Sequence, residues 1–290
     1  MKKITLAFTA LVSVCSFGQN DQVQNKNGVD IMPVAGEIGL GMNALPALQW
    51  LGNMMNGNTD NTSLGNSKFV DYFGSQNLFG KYMISDDAAI RVNLRYGRNG
   101  ATTYNYVFND VLANPDSITI DTYHGRSTDF NIGVGYEFRR GKTRLRGIYG
   151  GELLYAYSRT LEDFYYGNSF GFINPAPTST SWSAGAVSGV GALATRQRST
   201  DTGAINGLGL RLFGGVEYYI CPKICLGTEF GWGIGGAWSK MGTIVDEYWD
   251  PGAAAGAGGV LTSISEQTNT STFRIDTDNF NGAMYFMFWF

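Results

Sequence analysis

The eleven residues Phe280–Phe290, with the sequence FNGAMYFMFWF, decide the fold. From Met284 to the last residue, a large apolar side chain occupies every even position, at Met284, Phe286, Phe288 and Phe290. Side chains that alternate in this way line one face of a β-strand. The segment is too short to cross a bilayer as a helix, which needs about 20 residues, but a tilted transmembrane strand needs only about 9–11. We therefore expect these four side chains to form the outward face of a membrane strand.

The same alternation recurs earlier in the chain and predicts seven more strands. Short connections at 85–87, 141–142 and 221–225 alternate with long ones, among them 97–127, 159–203 and 240–278. This sorting is typical of an even-stranded membrane barrel, which has short turns on the inner side of the membrane and long loops outside. We predict an all-β fold, an eight-stranded antiparallel up-and-down transmembrane β-barrel with three short periplasmic turns and four long extracellular loops. The predicted strands are 37–43, 77–84, 88–96, 129–139, 143–158, 204–220, 226–238 and 280–290.

One long connection carries a different pattern. Apolar residues recur every three to four positions over 44–57, which predicts a short amphipathic helix near the barrel mouth. Such a helix could be a plug or a partner-binding element, or simply a loop element that packs on its neighbours.

The charged side chains of the predicted strands all fall on the inward face. A Lys or Arg facing lipid would cost roughly 2–4 kcal/mol at the midplane, which explains the segregation. An eight-stranded barrel is just wide enough to be filled by side chains, so six basic and six acidic residues should pair across it. We predict a closed lumen, with a selective channel or proton path as the alternative. The predicted lumen network is Glu37, Lys81, Arg91, Arg95, Asp129, Glu137, Arg144, Arg146, Glu152, Arg211, Glu217 and Glu229.

Aromatic residues predict the edges of the membrane-exposed band, because Tyr and Trp favour membrane interfaces. They fall into an outer row of Tyr96, Phe130, Tyr155, Tyr157, Trp238 and Phe280 and an inner row of Tyr82, Phe138, Tyr218, Phe288 and Phe290.

Composition agrees with a β-barrel more than with a helical membrane protein. The mean hydropathy is −0.11, and 40 glycines and 14% aromatic residues accompany only 16% charged residues. Closely packed strands with aromatic rings toward lipid have this composition. A β-sandwich would not be excluded by composition alone.

The N-terminus predicts export. Lys2 and Lys3 precede an apolar core at 4–14, and small residues follow around 16–18, so we expect a cleaved signal peptide at 1–18. Lipidation at Cys15 is a weaker alternative. A periplasmic tail at 19–35 and the barrel at 36–290 would follow. The chain has 21 basic and 24 acidic residues, so losing both lysines leaves a net charge of −5, which argues against a nucleic-acid partner.

Export also sets the expected state of the remaining cysteines. Cys221 and Cys225 would lie in an oxidising compartment, and the predicted turn places them opposite each other. We therefore predict a disulfide between them.

No motif with a known chemical mechanism appears in a suitable context. His124 is the only histidine, in a predicted loop near Ser127 and Asp129, and these common polar residues make a weak catalytic candidate. We expect no enzyme activity, no catalytic residue, no cofactor and no metal site.

The signal peptide, the eight alternating strands, the sorted connections and the terminal Phe together resemble the small eight-stranded Gram-negative outer-membrane barrels, of the OmpX type and the OmpA transmembrane type. The chain differs from them in its longer loops and in lacking an OmpA-type periplasmic domain. The resemblance implies an integral outer-membrane location and contact with membrane lipid and lipopolysaccharide. It also implies that the barrel-assembly machinery reads the C-terminal strand.

The resemblance favours a structural or surface-interaction role, with an unidentified protein partner at the extracellular loops. Passage of small solutes or hydrophobic ligands is one alternative, and a lipid-modifying enzyme is another.

Overall fold

The fold is a single antiparallel sheet of twelve strands, seen in a computed structural model that describes residues 23–43, 78–112, 116–182, 195–278 and 284–290. One four-residue helical turn, α1, interrupts the strands at Ala253–Gly256. The strands are β1 Ile38–Asn43, β2 Leu78–Ser85, β3 Ala88–Phe108, β4 Ile118–Arg140, β5 Leu145–Tyr165, β6 Thr195–Asp201, β7 Ile205–Cys221, β8 Ile224–Ser239, β9 Gly242–Asp250, β10 Gly259–Gln267, β11 Ser271–Asp278 and β12 Met284–Trp289. The helix predicted over 44–57 lies outside the described residues.

The strand pairings close into a ring. From β1 they lead through β2, β3, β4, β5, β7, β8 and β12, and β12 pairs with β1 again. The closing contacts include Leu40 opposite Phe288 on one side and Met287 opposite Cys225 on the other. The last strand therefore pairs with both neighbours that its sequence predicts. Each predicted strand overlaps a strand of this ring.

The prediction of long loops was wrong in three places. Residues 97–108 continue β3 and 118–128 begin β4, so most of the predicted loop 97–127 is a paired hairpin. The ranges 159–203 and 240–278 likewise contain the end of β5 and the strands β6, β9, β10 and β11. Parts of these strands, such as 97–103 and 195–201, are polar or glycine-rich and so resemble loops, although the exposed Tyr104, Tyr106 and Phe108 do recur at every second position. We call the part beyond the ring the extension; β11 does not belong to it, because it pairs with Gly231–Trp238 of β8, which also pair with β7 in the ring.

The turn end of the ring carries the three short turns, at 86–87, 141–144 and 222–223. The sequence predicts Ile84 opposite Ala88, Phe138 opposite Leu145 and Ile220 opposite Leu226. The first register holds up to Met83 opposite Ala89, after which a bulge follows. The other two were wrong, since Phe138 lies opposite Tyr149 and Tyr218 lies opposite Leu226. Both errors are even-numbered shifts, so every side chain still points to its predicted face.

Small residues inside the ring make room for large ones. Tyr285 lies opposite Gly227, where an added Cβ would stand 2.3 Å from the tyrosine ring. A Cβ on Gly135 would lie 2.5 Å from Cγ of Glu152. The interior is therefore filled by long side chains that glycines on neighbouring strands admit.

Residues 23–36 close the turn end of the ring. The chain predicted as a tail packs Ile31 and Met32, each 1% exposed, against interior residues of the ring such as Met83 and Trp289. The backbone carbonyl of Ile31 accepts a hydrogen bond of 3.0 Å from the amide of Lys223. The described part of this segment is thus an end cap that packs on the ring, and we call it the cap.

Lys223 explains how the cap is held. It takes a positive φ of 63° in the turn between β7 and β8, a conformation that usually favours glycine. Its ammonium donates to the carbonyl of Met32 at 2.9 Å and pairs with Glu37 at 2.5 Å. A glycine at this position would lack both contacts.

Candidate functional site

The candidate site is a network of charged side chains buried inside the ring. Its members come from six neighbouring strands, and each is at most 2% exposed. Four are basic and four are acidic, so their formal charges cancel. The network consists of Lys81, Arg91, Glu137, Arg139, Glu152, Arg211, Glu217 and Glu229.

Period-two alternation directs these side chains to one face. Lys81, Arg91, Glu152 and Arg211 lie in one cross-strand row, in which Gly135 separates Arg91 from Glu152. Because the glycine has no side chain, the Arg91 Nε reaches 2.7 Å from Glu152 Oε1 across it. The local sequence therefore fixes the face of each side chain, and the strand registers of the ring place these four in one row.

Arg91 is the centre of one half of the network. Its guanidinium forms a two-point contact with Glu229, at 2.8 Å and 3.1 Å, and lies 3.3 Å from Glu137. The guanidinium also stacks on the ring of Phe213, with 4.0 Å from its carbon to the ring centroid. Arg211 completes this half at 3.2 Å from Glu229. Such planar pairing is a property of arginine that lysine does not reproduce.

Glu217 is the centre of the other half. Its carboxylate accepts from Lys81 at 2.6 Å and from the Tyr285 hydroxyl at 2.8 Å. Arg139 and the Tyr219 hydroxyl also donate to it. Lys81 joins the halves, since its ammonium also lies 2.6 Å from Glu137.

Sequence reasoning predicted most of this network but missed Arg139 and Tyr219. Arg139 lies two residues after the inward-facing Glu137, and Tyr219 lies two residues after the inward-facing Glu217, so alternation directs both side chains inward. The alternation was therefore enough to identify both residues, although they lie next to turns, near the ends of their strands.

Five predicted members lie away from the centre. At the turn end, Glu37 pairs with Lys223, Arg144 donates to the carbonyl of Ile220 at 3.1 Å, and Arg146 lies 3.1 Å from Asp87. Toward the extension, Asp129 accepts from Ser158 at 2.8 Å and Arg95 is half-buried.

The predicted disulfide is absent, and this prediction was wrong. Cys221 and Cys225 are both free, the first exposed and the second buried. A bulge after Tyr219 places Cys221 opposite Ile224, while Cys225 lies opposite Tyr219. Cys221 and Cys225 are therefore not opposite each other across the hairpin.

The extension has a polar core of its own. Arg196 is 5% exposed, lies 2.7 Å from Glu247 and stacks on Tyr166 at 4.2 Å. Burial raises the pKa of Tyr166 to about 12. Asp121, also buried, accepts from the amides of Gly167 and Thr180. These contacts fix the chain between 166 and 182 on one face of the sheet.

His124 is not brought together with Ser127 and Asp129. It lies on β4 at even parity and they lie at odd parity, so the side chains point to opposite faces of the sheet. Its Nδ1 is 2.9 Å from the Thr102 hydroxyl, and its ring packs edge-on against Tyr165. Among the described residues, no group of three or more His, Cys, Asp or Glu side chains could hold a metal ion.

Comparisons with known proteins give no family. No model of a known protein family matches the chain, and no curated protein is similar to it. Within the described ranges, no helix is long and apolar enough to cross a membrane.

Proposed function

We propose that the chain is a non-enzymatic outer-membrane β-barrel of eight strands with a closed lumen and a surface-interaction role. The observation that carries the proposal is the sorting of side chains by the ring. Its described outward positions are mostly apolar, with the charged Arg140 next to a turn, whereas its inward positions carry the buried, paired charges. A protein surrounded by water has no physical reason to expose this many large apolar side chains in a continuous band. The exposed band includes Leu40, Tyr82, Ile90, Val92, Leu94, Val134, Leu153, Leu208, Leu210, Leu212, Phe230 and Trp232.

The height of the band supports the membrane assignment. On β4 the outer aromatic row is at Phe130 and the inner one at Phe138. Eight residues at roughly 3.3 Å each span about 26 Å along the tilted strand. At the usual strand tilt of roughly 35–45°, this length projects to about 20 Å along the membrane normal, which is near the height of about 25 Å of the apolar band in outer-membrane barrels.

The filled interior supports a structural role over solute passage. Eight charges that pair within the ring, together with the cap at the turn end, leave the lumen occupied by protein.

The surface role is assigned to the extension, where exposed Val111, Leu112, Phe172 and Ile173 lie at the tips of two segments. Asp110 joins these segments by accepting from the side-chain amide of Asn174 at 2.9 Å.

The C-terminal strand would serve assembly. Met284, Phe286 and Phe288 are more exposed than Tyr285 and Met287, as a lipid-facing strand requires, and Phe290 is 75% exposed. We assign this strand to recognition by the barrel-assembly machinery, with outer-membrane lipid around the finished barrel.

The test is fractionation of the bacterial envelope followed by planar-bilayer recording of the purified protein. We expect the protein in the outer-membrane fraction, a shift in gel mobility between unheated and boiled samples, and no stable conductance. Recovery in the soluble fraction would contradict the membrane assignment. Large, stable conductance steps would replace the closed lumen with a passage function.

A further inference from the structure

One outward face of the extension is apolar and uncovered. It lies on β3, β4 and β5 beyond Tyr96, where the pairing of the three strands continues without a bulge. Alternation therefore keeps the even positions of β3 and β4 and the odd positions of β5 on the outside, as in the apolar band. The large side chains of this face are 45–69% exposed. They are Tyr104, Tyr106, Phe108, Ile118, Ile120 and Tyr165, and we call them the outer patch.

The strand registers make the outer patch continuous. Phe108 lies opposite Ile118. Two rows nearer the ring, Thr122 lies between Tyr104 and Tyr165, and a tyrosine–isoleucine row lies between these two rows. Side chains that face each other in this way lie about 4.5–5.5 Å apart at Cβ and form one surface.

The opposite face of the same strands is covered by the chain itself. Asp121 is fully buried and accepts from the amide of Gly167 at 2.8 Å. Phe164 is 3% exposed, and the ring of Tyr123 stacks on Trp182 at 5.7 Å. The outer patch, by contrast, stays open in the part of the chain that the structure describes. Strands with large apolar residues on both faces are normally covered on both.

The outer patch lies too high to be covered by lipid. On the proposed function, Tyr96 marks the outer membrane interface, and Tyr106 follows ten residues later on the same strand. Ten residues extend about 33 Å along the strand, or roughly 25 Å along the membrane normal at the usual tilt. The patch therefore faces water, and an apolar surface of this extent in water marks a contact with protein.

The size and border of the outer patch fit a protein interface. An aromatic side chain that is about three-fifths exposed offers roughly 120 Å², so six such side chains offer about 700 Å². A specific interface takes about 800 Å² from each partner. The row next to the patch is polar, with His124 between Thr102 and Asp163. Asp163 pairs with Arg126 at 3.1 Å, so this rim presents no unpaired charge of either sign at that position.

A second copy of the chain meets the geometric conditions for this interface. A membrane holds all copies in one orientation, so their outer patches lie at one height. A two-fold axis along the membrane normal then brings the outer patch of one copy against the same surface of another, as in an isologous dimer. Because the patch is uncharged, this contact places no like charges opposite each other.

We propose that the outer patch is the interface of a symmetric dimer, in which two copies of the chain in one membrane pack these faces together. The inference deepens the proposed function and rests on it, because the common height and orientation of the patches come from the membrane. The partner of the surface role is thus another copy of this chain.

The test is sedimentation equilibrium of the purified full chain in density-matched detergent. We expect the wild type to be a concentration-dependent mixture of monomer and dimer. Tyr106→Asp should raise the dimer Kd about a hundredfold, because symmetry introduces the change twice and a central aromatic side chain contributes about tenfold or more. Tyr106→Ala should act in the same direction with a smaller effect.

Ile264→Asp is the matched control. Ile264 is 68% exposed on β10, outside the outer patch, so the variant introduces the same charge at a similar exposure. It should dimerise like the wild type. The gel mobility of unheated samples checks that each variant is folded.

A wild type that is monomeric at every concentration would overturn the proposal. A dimer that Tyr106→Asp leaves unchanged, or that both aspartate variants weaken equally, would also overturn it. If the protein is recovered in the outer-membrane fraction and is folded but monomeric, this inference alone fails. Recovery in the soluble fraction would instead refute the proposed function.

Discussion

At the scale of single residues, the buried ion pairs combine a large cost with an exact charge balance. Removing a charge from water is expensive, and a neighbouring opposite charge recovers that cost only with good geometry. Glu217 has that geometry, with contacts to Lys81, Arg139 and two tyrosine hydroxyls. Although the eight formal charges of the network cancel, the loss of one member leaves a buried charge without its partner and destabilises the fold.

Glu217→Gln should strongly destabilise the folded protein. The change leaves Lys81 and Arg139 with one carboxylate fewer, and breaking a buried pair costs about 3–5 kcal/mol. The measurement is the urea midpoint of unfolding in detergent. Glu266→Gln, at an exposed position of β10, is the control and should have little effect.

A second change tests whether charge balance is the cause. Lys81→Met in the Glu217→Gln background removes one of the two cations that lost a carboxylate partner and restores equal numbers of buried positive and negative charges, so we expect part of the stability to return. If Glu217→Gln unfolds at the same urea concentration as Glu266→Gln, the network does not stabilise the ring.

The two cysteines should differ in reactivity. Cys221 is exposed and Cys225 is buried, and they are not bridged. For the chain without residues 1–18, we expect maleimide to label one thiol in the folded protein and two after denaturation without reductant. Cys221→Ser should abolish labelling of the folded form. No labelling of the denatured chain until reductant is added would show that a disulfide forms after all.

At the scale of elements, the cap is held by the turn between β7 and β8. Lys223 supplies a backbone donor, an ammonium and an unusual backbone conformation at one position. This turn and the buried side chains of Ile31 and Met32 make the cap part of the interior. Segments with these contacts open only at a considerable cost in free energy.

Ile31→Ala should lower stability because it removes buried methyl groups from the packed end of the ring. Such changes cost about 2–5 kcal/mol where the site cannot collapse. The temperature at which the unheated gel mobility converts to the boiled mobility measures the effect. Val29→Ala is the control, since Val29 is 47% exposed two residues away. Equal conversion temperatures for both variants would show that the cap does not stabilise the ring.

The extension should respond to acid at Asp110. Partial burial raises the pKa of this carboxyl, but hydrogen bonds from Asn174 and Thr178 outweigh it and hold the pKa below the ordinary 3.8. A lowered pKa means that the contact stabilises the fold above pH 3.8 and is lost as the pH falls through the folded pKa. The extension tip should therefore loosen only in that acid range.

The amide of Thr178 reports this change directly, because it donates to Asp110 at 2.6 Å. We expect its NMR chemical shift to titrate with a midpoint below 3.8. Asp110→Asn should remove the titration. A midpoint at or above 3.8 in the wild type would contradict the assigned hydrogen bonds.

At the scale of the whole molecule, an exposed apolar side chain can face either lipid or water. Leu210 on β7 and Ile264 on β10 are similarly exposed, at 58% and 68%. On the proposed function, Leu210 faces lipid in the apolar band and Ile264 faces water in the extension. Their similar exposure makes them a matched pair for testing whether lipid or water surrounds the ring.

Leu210→Lys should therefore destabilise the protein in a bilayer, by about 2–4 kcal/mol if the position is near the midplane. Ile264→Lys should change stability little, because lysine at an exposed strand edge is well solvated. Reversible unfolding from lipid vesicles measures both variants. Equal, small effects would show that the band around Leu210 faces water.

The sequence alone determined which side chains share a face. Alternation with a period of two residues is local, so parity survived even where the register shifted by two or four residues, as at Phe138 and Tyr218. It also identified the last strand and its two neighbours. Seven members of the charge network followed from parity alone.

Only the tertiary structure decided the strand lengths, the cap and the contacts within the network. Residues 97–103 and 195–201 are mostly polar or glycine, as in a loop, so only their pairing across the sheet shows that they are strands. The cap reads as polar chain, and only closure of the ring creates the apolar interior that buries Ile31 and Met32. Which glutamate meets which arginine depends on distances across the ring that no local pattern contains.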